Sequence, residues 1–499
     1  MSSVVVVHYH WRPGGVRSVI GRSLSLLPRA LGRFGVDKIV LAGGAELHRA
    51  EFAQWQRLHP EIELTQEVVA EFSYLAEQPL DRMSGMGDLV AAAADRLLRR
   101  HRAAVVWAHN FSVGRNVFLG DGWRRATADA GVMLWCQHHD WWPECRWERW
   151  PEMRRWGIRS LAQAARGTVP DGPGVRHTCV HPRDAALLQR RLGRRAAWLP
   201  NLSSHPEPAA PELMAAVRSA ADGGRRPLWL VPSRLLRRKN PLEAVLLAAL
   251  LRPDCRLTIL GDASAAQESP LASALREAAT VLGIDLDLGA TRKFPVPALL
   301  GGAEVLLQTS VLEGFGLTAL DAAAWQKPLL LRRLPQLTTA LEKHLVHLPT
   351  TYADLALPPE IATKIPQAIS PAPESLPPEW RALLKQTEDF PATFAGLTVA
   401  GQQQALPTTP CALTAFREAN PWLENWRKMS ADHSLPAVQR NVTLAEEEAA
   451  WLETVEQVLT APDTPEADSG QILSDFARAV LTSASRHPLL TEAAGTGSP

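Results

Sequence analysis

The chain has little cysteine, almost no net charge and no long apolar run among its 499 residues. Its five cysteines are scattered and odd in number, which argues against a disulfide framework and predicts reduced thiols in a cytoplasmic protein. A formal net charge of +1 gives no reason to expect nucleic acid as a partner. No apolar run approaches the roughly 20 residues that cross a bilayer. The N-terminal MSSVVVVHYH also lacks the basic region that opens a signal peptide.

The hydrophobic content of 46% and charged content of 21% are typical of a globular protein. A chain of 499 residues is too long for a single hydrophobic core, so more than one domain is expected. In the first half, short apolar runs alternate with helical patterns, as in βαβ units. The predicted strands are 4–7, 38–41, 103–107, 131–136, 176–180 and 196–199, and helical patterns lie at 86–100, 115–130 and 183–192. This pattern predicts a Rossmann-like domain with a parallel sheet.

The second half repeats the alternation. Strands are predicted at 227–232, 257–260, 305–308 and 329–331, and later helices at 444–459 and 472–481. The fold class is therefore α/β, with two Rossmann-like doubly wound parallel-sheet domains and a C-terminal helical extension. We place the domains at 1–205 and 227–395, a linker rich in proline and glycine at 206–226, and a proline-rich and helical tail at 396–499. Part of this tail is expected to pack back on the first domain.

The stretch Ser310–Lys327, SVLEGFGLTALDAAAWQK, carries the clearest functional signal. A buried strand is followed by a glycine turn and then a helix that opens at Leu317 or Thr318. Such a turn leaves backbone N–H groups unpaired at the positive end of the helix, and its glycines let an anion approach closely. Glu313 and Asp321 flank this anion seat and would repel a phosphate, so they should bind hydroxyls. Phosphate and hydroxyl sites side by side suit a nucleotide joined to a sugar.

These residues resemble the signature of the retaining GT-B glycosyltransferases of family 4, the glycosyl transferases group 1. The signature is Glu-Gly-Phe-Gly and a second Glu, with seven residues between the two glutamates; here the second acid is Asp321. The resemblance implies that Glu313 contacts the donor sugar and that Asp321 holds the ribose. It further implies donor binding by Gly314, Phe315, Gly316, Leu317 and Thr318. The alternative is an ordinary turn with a solvated Glu and an Asp that favours a helix N-terminus.

A basic stretch, Ser233–Asn240, follows the first strand of the second domain. Four cations in six residues could neutralise a leaving diphosphate. The resemblance selects Arg234 and Lys239 as the phosphate pair, which leaves Arg237 and Arg238 facing solvent. The alternative is a basic loop that binds no ligand. Gly261-Asp262, after the next strand, matches a nucleotide-side loop of the family.

In the first domain, the loop that contains Gly14 and Gly15 follows the first strand and matches the family's N-terminal Gly-Gly loop. His139-Asp140 resembles the family's strand-end His-Asp, which implies that His139 lies beside the donor sugar; His138 is its register-shifted competitor. His109 and Asn110 are candidates for the acceptor side. For each histidine, a structural hydrogen bond at a strand end remains the alternative.

A metal site is weighed because Cys136, His138, His139, Asp140 and Cys145 lie within ten residues, but their spacing matches no ligand motif. Asp285 and Asp287 read as a solvated strand edge. The family needs no metal, so none is expected. The nearby tryptophans suit either sugar stacking or core packing. They are Trp135, Trp141, Trp142, Trp147 and Trp150.

Arginines recur on the helical pattern at 16–34, namely Arg17, Arg22, Arg29 and Arg33. Some relatives attach to membranes through such a helix, so either peripheral membrane contact or a solvated face would explain it.

The resemblance as a whole implies a metal-independent hexosyltransferase that acts with retention and without a cofactor. Its partners would be a nucleotide-sugar donor, bound by the second domain, and an acceptor of unknown identity on the side of the first. The alternatives are an epimerase or phosphorylase on the same fold, and a binding protein without catalysis.

Overall fold

The computed structural model describes residues 2–12, 14–79, 84–144, 146–203, 210–220, 225–261, 270–365, 376–383 and 392–481. The strands are β1 Ser2–Val7, β2 Val36–Gly43, β3 Glu63–Val68, β4 Ala103–His109, β5 Met133–His138, β6 Val175–Cys179, β7 Ala196–Trp198, β8 Leu228–Val231, β9 Arg256–Ile259, β10 Asp285–Asp287, β11 Val305–Gln308, β12 Leu329–Arg332, β13 Val346–His347, β14 Thr351–Tyr352 and β15 Gln439–Arg440.

The α-helices are α1 Gly15–Ser23, α2 Leu27–Ala30, α3 Arg49–Leu58, α4 Met86–His101, α5 Phe118–Ala130, α6 Arg149–Arg155, α7 Leu161–Thr168, α8 Pro182–Leu192, α9 Pro211–Ser219, α10 Pro241–Leu251, α11 Pro270–Leu282, α12 Val296–Gly302, α13 Leu317–Ala324, α14 Pro335–His344, α15 Pro359–Ala362, α16 Pro378–Arg381, α17 Val399–Gln404, α18 Pro410–Ala419, α19 Trp422–Ala431, α20 Leu444–Leu459 and α21 Ser469–Leu481.

These elements form two compact units. Unit 1 comprises the described residues within 1–202, 372–385 and 444–486, and unit 2 those within 203–371 and 386–443. Each unit is built on a parallel sheet, so the predicted α/β architecture of two doubly wound domains is confirmed.

The sheet of unit 1 has seven strands in the order β3-β2-β1-β4-β5-β6-β7. Its central strand β1 contains the buried run Val4–Val7, because β-branched side chains suit a strand that is covered on both faces. The chain builds outward from β1 in one direction through β2 and β3, and in the other from β4 to β7. The change of direction lies between β1 and β4.

The last two helices belong to unit 1. Trp451 and Val455 of α20 pack in the same apolar core as Val4 and Trp107 of the central strands. Phe476 of α21 stacks on Trp141 with ring centroids 3.7 Å apart. Of the predicted tail at 396–499, of which part was expected to pack on the first domain, the described residues up to 443 belong to unit 2 and those from 444 onward belong to unit 1.

The main sheet of unit 2 has six strands in the order β10-β9-β8-β11-β12-β14. Helix α10, with the sequence PLEAVLLAALL, is buried all round because almost every side chain in it is apolar. The residues beyond 392 complete its cover, since Phe416 of α18 and Trp426 of α19 join the same core. For this reason the boundary that the sequence suggested at residue 395 has no counterpart in the packing.

Helix α9 lies within the interval predicted as a linker. It opens with Pro211 at its first position, as prolines favour, and packs against α12 through Met214 and Val217. The packing is close: a Cβ added to Gly301 would lie 2.4 Å from Met214 Sδ, and one on Gly302 would lie 2.7 Å from Val217 Cγ1. The described part of this interval is thus an integral helix of unit 2.

Within the described ranges, none of the helices combines the length and the apolar character needed to cross a membrane.

Candidate active site

The carboxyl ends of β8 and β11 define the candidate site in unit 2. From β8 the chain runs outward through β9 and β10 on one side, whereas β11, β12 and β14 lie on the other. The order of strands therefore reverses between β8 and β11. In open α/β sheets, ligands bind at the carboxyl ends of the strands where the order reverses. The basic stretch follows β8 and the glycine turn follows β11, so both predicted donor segments start at this point.

The glycine turn has the geometry expected of an anion seat. Gly316 caps α13 in the left-handed conformation, with φ 86° and ψ 48°, which glycine adopts without strain. A glycine has no side chain that could cap the helix, and α13 has no acidic residue in its first turn. The first N–H groups of a helix have no acceptor within the helix, so those of Leu317 and Thr318 could donate to an anion.

The two acids of the signature occupy different environments. The Glu313 side chain is 8% exposed and pairs with Lys239, while Arg238 Nη1 lies 3.8 Å from its other carboxylate oxygen. Burial opposes its ionisation, but the positive charges of Lys239 and Arg238 outweigh burial and hold the pKa of Glu313 below its ordinary value. Asp321 lies half-buried on α13, beyond the first turn of the helix.

The pair of Lys239 and Glu313 joins the loop after β8 to the loop after β11. The backbone strengthens this junction, because Val311 N–H donates to Arg238 O at 2.9 Å and Thr309 Oγ1 donates to Lys239 O at 2.9 Å. Lys239 and Arg234 are the two side chains predicted to bind phosphate. Lys239 lies beside Glu313, the carboxylate predicted to contact the donor sugar. The other, Arg234, is exposed and makes no ion pair with any described residue.

Gly261, two residues after β9, lies against the backbone of the same basic loop. A Cβ added there would lie 2.2 Å from Leu235 N and 2.9 Å from Arg234 Cα. The glycine is therefore required by the close approach of the chain that carries Arg234. Asp262 lies outside the described residues.

The prediction that Arg237 and Arg238 face solvent is wrong. Arg237 donates to the carbonyl oxygens of Ala395 and Leu397, and Arg238 donates to Leu312 O at 3.1 Å. Both side chains are half-buried, and each donates to backbone carbonyl groups. Among the remaining donor-binding candidates, Gly314, Leu317 and Thr318 are half-buried, whereas Phe315 is buried.

In unit 1, the corresponding change of direction lies between β1 and β4. The loop after β1 contains Gly14 and Gly15, and α1 begins at Gly15. Gly14 is half-buried and Gly15 exposed. Among the described residues, a Cβ on Gly14 would meet only Arg12 O, at the ordinary van der Waals distance of 3.9 Å.

His139 and His109 share one hydrogen bond, with His109 Nδ1 and His139 Nε2 3.0 Å apart. Both rings are buried. Burial lowers the pKa of His139 to about 4, although Asp140 opposes this shift, and lowers the pKa of His109 well below its ordinary value. Both rings are therefore neutral at pH 7, and one donates to the other. Asn110 accepts from His139 N–H and Asp140 N–H through Oδ1, so its side chain shapes the turn that holds His139.

His138, the register-shifted competitor, is placed elsewhere. Its Nε2 lies 3.0 Å from His177 Nδ1, and its ring stacks on Trp141. It is buried in the core of unit 1.

The tryptophans of this region are core residues. Trp135 stacks on Trp107, Trp141 on Phe476 and Trp142 on Trp380. Trp147 and Trp150 are buried as well. Of the two interpretations offered by the sequence, core packing is the one that the structure supports.

No group of three or more His, Cys, Asp or Glu side chains that could hold a metal occurs among the residues that the structure describes. Cys145, one of the five residues considered as a metal site from the sequence, lies outside the described residues. Asp287 lies on the edge strand β10, as predicted, but it is not solvated: its side chain is 16% exposed, pairs with Arg256 at 2.8 Å and accepts from Gly289 N–H. The arginines of the first helical segment are partly engaged: Arg17 pairs with Glu51 at 2.7 Å and Arg22 donates to Leu202 O.

One residue of the site carried no sequence prediction, namely Asn240. It is fully buried, adopts a left-handed conformation and caps α10 just before Pro241. The signal that could have found it is the Asn-Pro pair, since asparagine tolerates positive φ and proline favours the first position of a helix.

Residues 218–345 match the family described as Glycosyl transferases group 1. They include the basic stretch, the glycine turn and both acids of the signature. A curated relative, the mannosylglucosyl-3-phosphoglycerate synthase of Petrotoga mobilis, is 24% identical over 352 residues, which are 67% of this chain and 65% of that protein. The match thus spans less than two thirds of the relative.

Solved structures match over most of the chain. A glycosyltransferase from Rickettsia africae aligns with a TM-score of 0.52 at 12% identity, over 92% of this chain and 100% of that one. Anabaena HepE, solved in complex with UDP-glucose, aligns with a TM-score of 0.50 at 14% identity, over 92% of this chain and 98% of that one. At these identities the likeness shows the fold, which is the predicted GT-B type.

The family match lies in unit 2, where the strand order changes direction between β8 and β11 and Lys239 pairs with Glu313. We conclude that this chain has a GT-B fold and that residues 218–345, within unit 2, match the glycosyl transferases group 1.

Proposed function

We propose that the protein is a retaining glycosyltransferase that moves a hexose from a nucleoside-diphosphate sugar to an acceptor hydroxyl without a metal ion. The observation that carries this proposal is the pairing of Lys239 with Glu313 at the carboxyl ends of β8 and β11, beside the glycine-capped start of α13. A cation, a carboxylate and unpaired N–H groups at one sheet edge suit a diphosphate joined to a sugar.

In this proposal each group of unit 2 has one role. Lys239, Arg234 and the N–H groups after Gly316 stabilise the charge that develops on the leaving diphosphate. Glu313 accepts hydrogen bonds from hydroxyls of the transferred sugar. Asp321 accepts from the ribose, and its shorter side chain reaches roughly one bond length less far than a glutamate would. Gly261 lets the backbone that bears Arg234 approach closely.

In unit 1, His139 orients the donor sugar, and the loop of Gly14 and Gly15 binds phosphate or sugar. A neutral imidazole suits this role, because it can exchange hydrogen bonds with a hydroxyl without adding charge. His109 and Asn110, which we predicted on the acceptor side, hold His139 and its turn in place through the contacts described above.

The chemistry follows the retaining course implied by the family. The acceptor oxygen forms a bond to the anomeric carbon on the same face from which the diphosphate departs. The bond between that carbon and the phosphate oxygen breaks, and the acceptor's proton passes to the leaving phosphate. No protein nucleophile is needed. The cations that neutralise the diphosphate thus contribute to catalysis by assisting its departure.

UDP-glucose is the first donor to test, because HepE was solved with it. The decisive experiment incubates the protein with UDP-glucose labelled at the anomeric carbon, with EDTA present, and with acceptors that include a phosphorylated glycoside, as the name of the Petrotoga relative suggests. The proposal predicts a glycoside of unchanged anomeric configuration by NMR. GDP- and ADP-linked sugars follow if UDP-glucose is inert.

Four outcomes would contradict the proposal in different ways. An inverted product would refute retention, and loss of transfer in EDTA would refute metal independence. Calorimetric binding of nucleoside diphosphates without transfer to any acceptor would favour a binding protein, which the substitution of Asp321 for the usual Glu makes the main competitor. Conversion of the labelled sugar to its epimer would indicate an epimerase.

A further inference from the structure

Asn240 follows Lys239 directly and holds an unusual backbone conformation. Its φ of 51° and ψ of 50° lie in the left-handed region, and Pro241 follows it. A non-glycine residue in this region costs on the order of 1 kcal/mol and persists only when its surroundings hold it there. Asn240 is fully buried, so those surroundings are protein.

The side chain of Asn240 is held at both ends. Its Nδ2 donates to Glu243 Oε2 at 2.8 Å. Its Oδ1 accepts from Arg237 Nη1 at 3.1 Å and from Gln402 Nε2 at 2.8 Å. Three bonds to a single buried amide use its hydrogen-bonding capacity almost completely, which fixes its orientation.

Both anchors of this amide are themselves immobilised. Glu243 is fully buried and also accepts from Arg332 and from the Tyr352 hydroxyl. This cationic partner offsets the buried negative charge. On the other side, Gln402 also donates to Phe394 O at 3.0 Å, in a segment that lies beyond residues 218–345.

The backbone connects this network to Lys239. Lys239 N–H donates to Leu236 O, and Asn240 N–H donates to Arg237 O. The single hydroxyl proton of Thr309 is shared between Lys239 O and Asn240 O, which lie 2.9 and 3.0 Å from its Oγ1. The peptide unit between Lys239 and Asn240 is therefore held from the side of β11, and the amide of Asn240 fixes the turn that follows it.

We propose that Asn240 is a positioning residue that places the Lys239 ammonium for a diphosphate, and that Gln402 extends this control to the segment after residue 392. The inference rests on the proposed function, because it assumes that Lys239 binds the diphosphate. It adds that the placement of Lys239 depends on a buried amide and on a part of the chain outside the matched family domain.

The test is a double-mutant cycle measured by calorimetry, with UDP and uridine as probes. Asn240→Gly keeps the left-handed backbone accessible and removes only the amide. We expect it to weaken UDP binding roughly 10-fold, within the range seen for residues that share a polar network. Uridine binding should be unchanged, because uridine carries no phosphate. In a Lys239→Ala background, Asn240→Gly should have no further effect on UDP.

Asn420→Ala is the matched control. Asn420 is another buried amide of unit 2, with bonds to the backbone of Ala356 and Phe416. It should lower stability without changing UDP affinity. Gln402→Ala, which removes one donor to Asn240, should weaken UDP less than Asn240→Gly does, and serves in the same cycle if the glycine variant does not fold.

Equal losses of UDP affinity in both backgrounds, or an equal loss for uridine, would overturn the inference. So would unchanged UDP affinity in Asn240→Gly. If the wild-type protein fails to bind UDP, GDP and ADP at millimolar concentration, the proposed function itself fails. If the wild-type protein binds UDP but the effects of Asn240→Gly and Lys239→Ala are simply additive, only this inference fails.

Discussion

Replacing Glu313 by Gln is expected to tighten the binding of a nucleoside diphosphate while it slows sugar transfer. Lys239 is neutralised by Glu313, whose carboxylate also repels a phosphate brought to the same cation. A glutamine at this position would keep the shape of the side chain and remove the charge. The two effects have opposite signs because the carboxylate opposes the diphosphate but serves the sugar.

The size of the effect follows from the geometry. Two unit charges about 5 Å apart interact by about 3 kcal/mol at an effective dielectric constant near 20. The Lys239 side chain is 15% exposed and that of Glu313 8%, so solvent reduces this only in part. We expect a gain of about 1–2 kcal/mol, or 5- to 30-fold tighter UDP binding. Transfer should fall at least 100-fold, as for other lost contacts to the reacting group.

The assay is calorimetry with UDP, paired with a turnover measurement on labelled UDP-glucose. Asp321→Asn is the control, because its carboxylate lies on α13 and is assigned to the ribose. It should weaken UDP and uridine alike. The free energy of unfolding of Glu313→Gln should fall by about 1–3 kcal/mol, since Lys239 loses its partner. Unchanged or weaker UDP binding in Glu313→Gln would refute the idea that the carboxylate competes with the diphosphate.

The other predictions concern both units. Arg234→Ala should lower turnover by roughly 10²–10³-fold and leave the melting temperature unchanged, because this exposed side chain makes no ion pair with a described residue. Normal turnover, or a lower melting temperature, would contradict this. Gly261→Ala should reduce turnover more than 10-fold, because the new Cβ would lie 2.2 Å from Leu235 N and must displace the loop of Arg234; normal kinetics would show that this loop is not needed. Phe476→Ala should lower the free energy of unfolding of unit 1 by about 3–5 kcal/mol, because its ring lies on Trp141, and limited proteolysis should then release the C-terminal segment first. Unit 1 should also lose stability as the pH falls from 6.5 to about 4, because burial keeps His139 neutral in the folded protein while the unfolded chain takes up a proton. On the order of 1–2 kcal/mol of unfolding free energy should be lost at pH 5. Equal urea midpoints at pH 7 and pH 5 would contradict this.

The predictable part of the fold is local. The valines of β1, the apolar run of β11 and the glycine turn after it are each explained by a few adjacent residues, so the alternation of strand and helix could be predicted directly. The same holds for the approach of the Lys239 loop to the turn of Glu313, because each lies just after a strand and parallel strands bring their carboxyl ends to one edge. The ion pair between the two side chains was not predicted.

What could not be predicted depends on contacts between distant residues. Arg237 looks solvent-exposed from its neighbours, but its acceptor Leu397 lies 160 residues away. The role of Trp141 depends likewise on Phe476, far along the chain. The local composition of 206–226 predicted a linker, but Pro211 opens helix α9 there, and Met214 and Val217 pack against α12.

The central claim is that a nucleoside diphosphate binds at the carboxyl ends of β8 and β11. A crystal structure with UDP tests it most directly. We expect density for the β-phosphate within hydrogen-bond distance of Lys239 Nζ and of the N–H groups of Leu317 or Thr318. Density for the diphosphate at any place remote from both Lys239 and the start of α13 would contradict it.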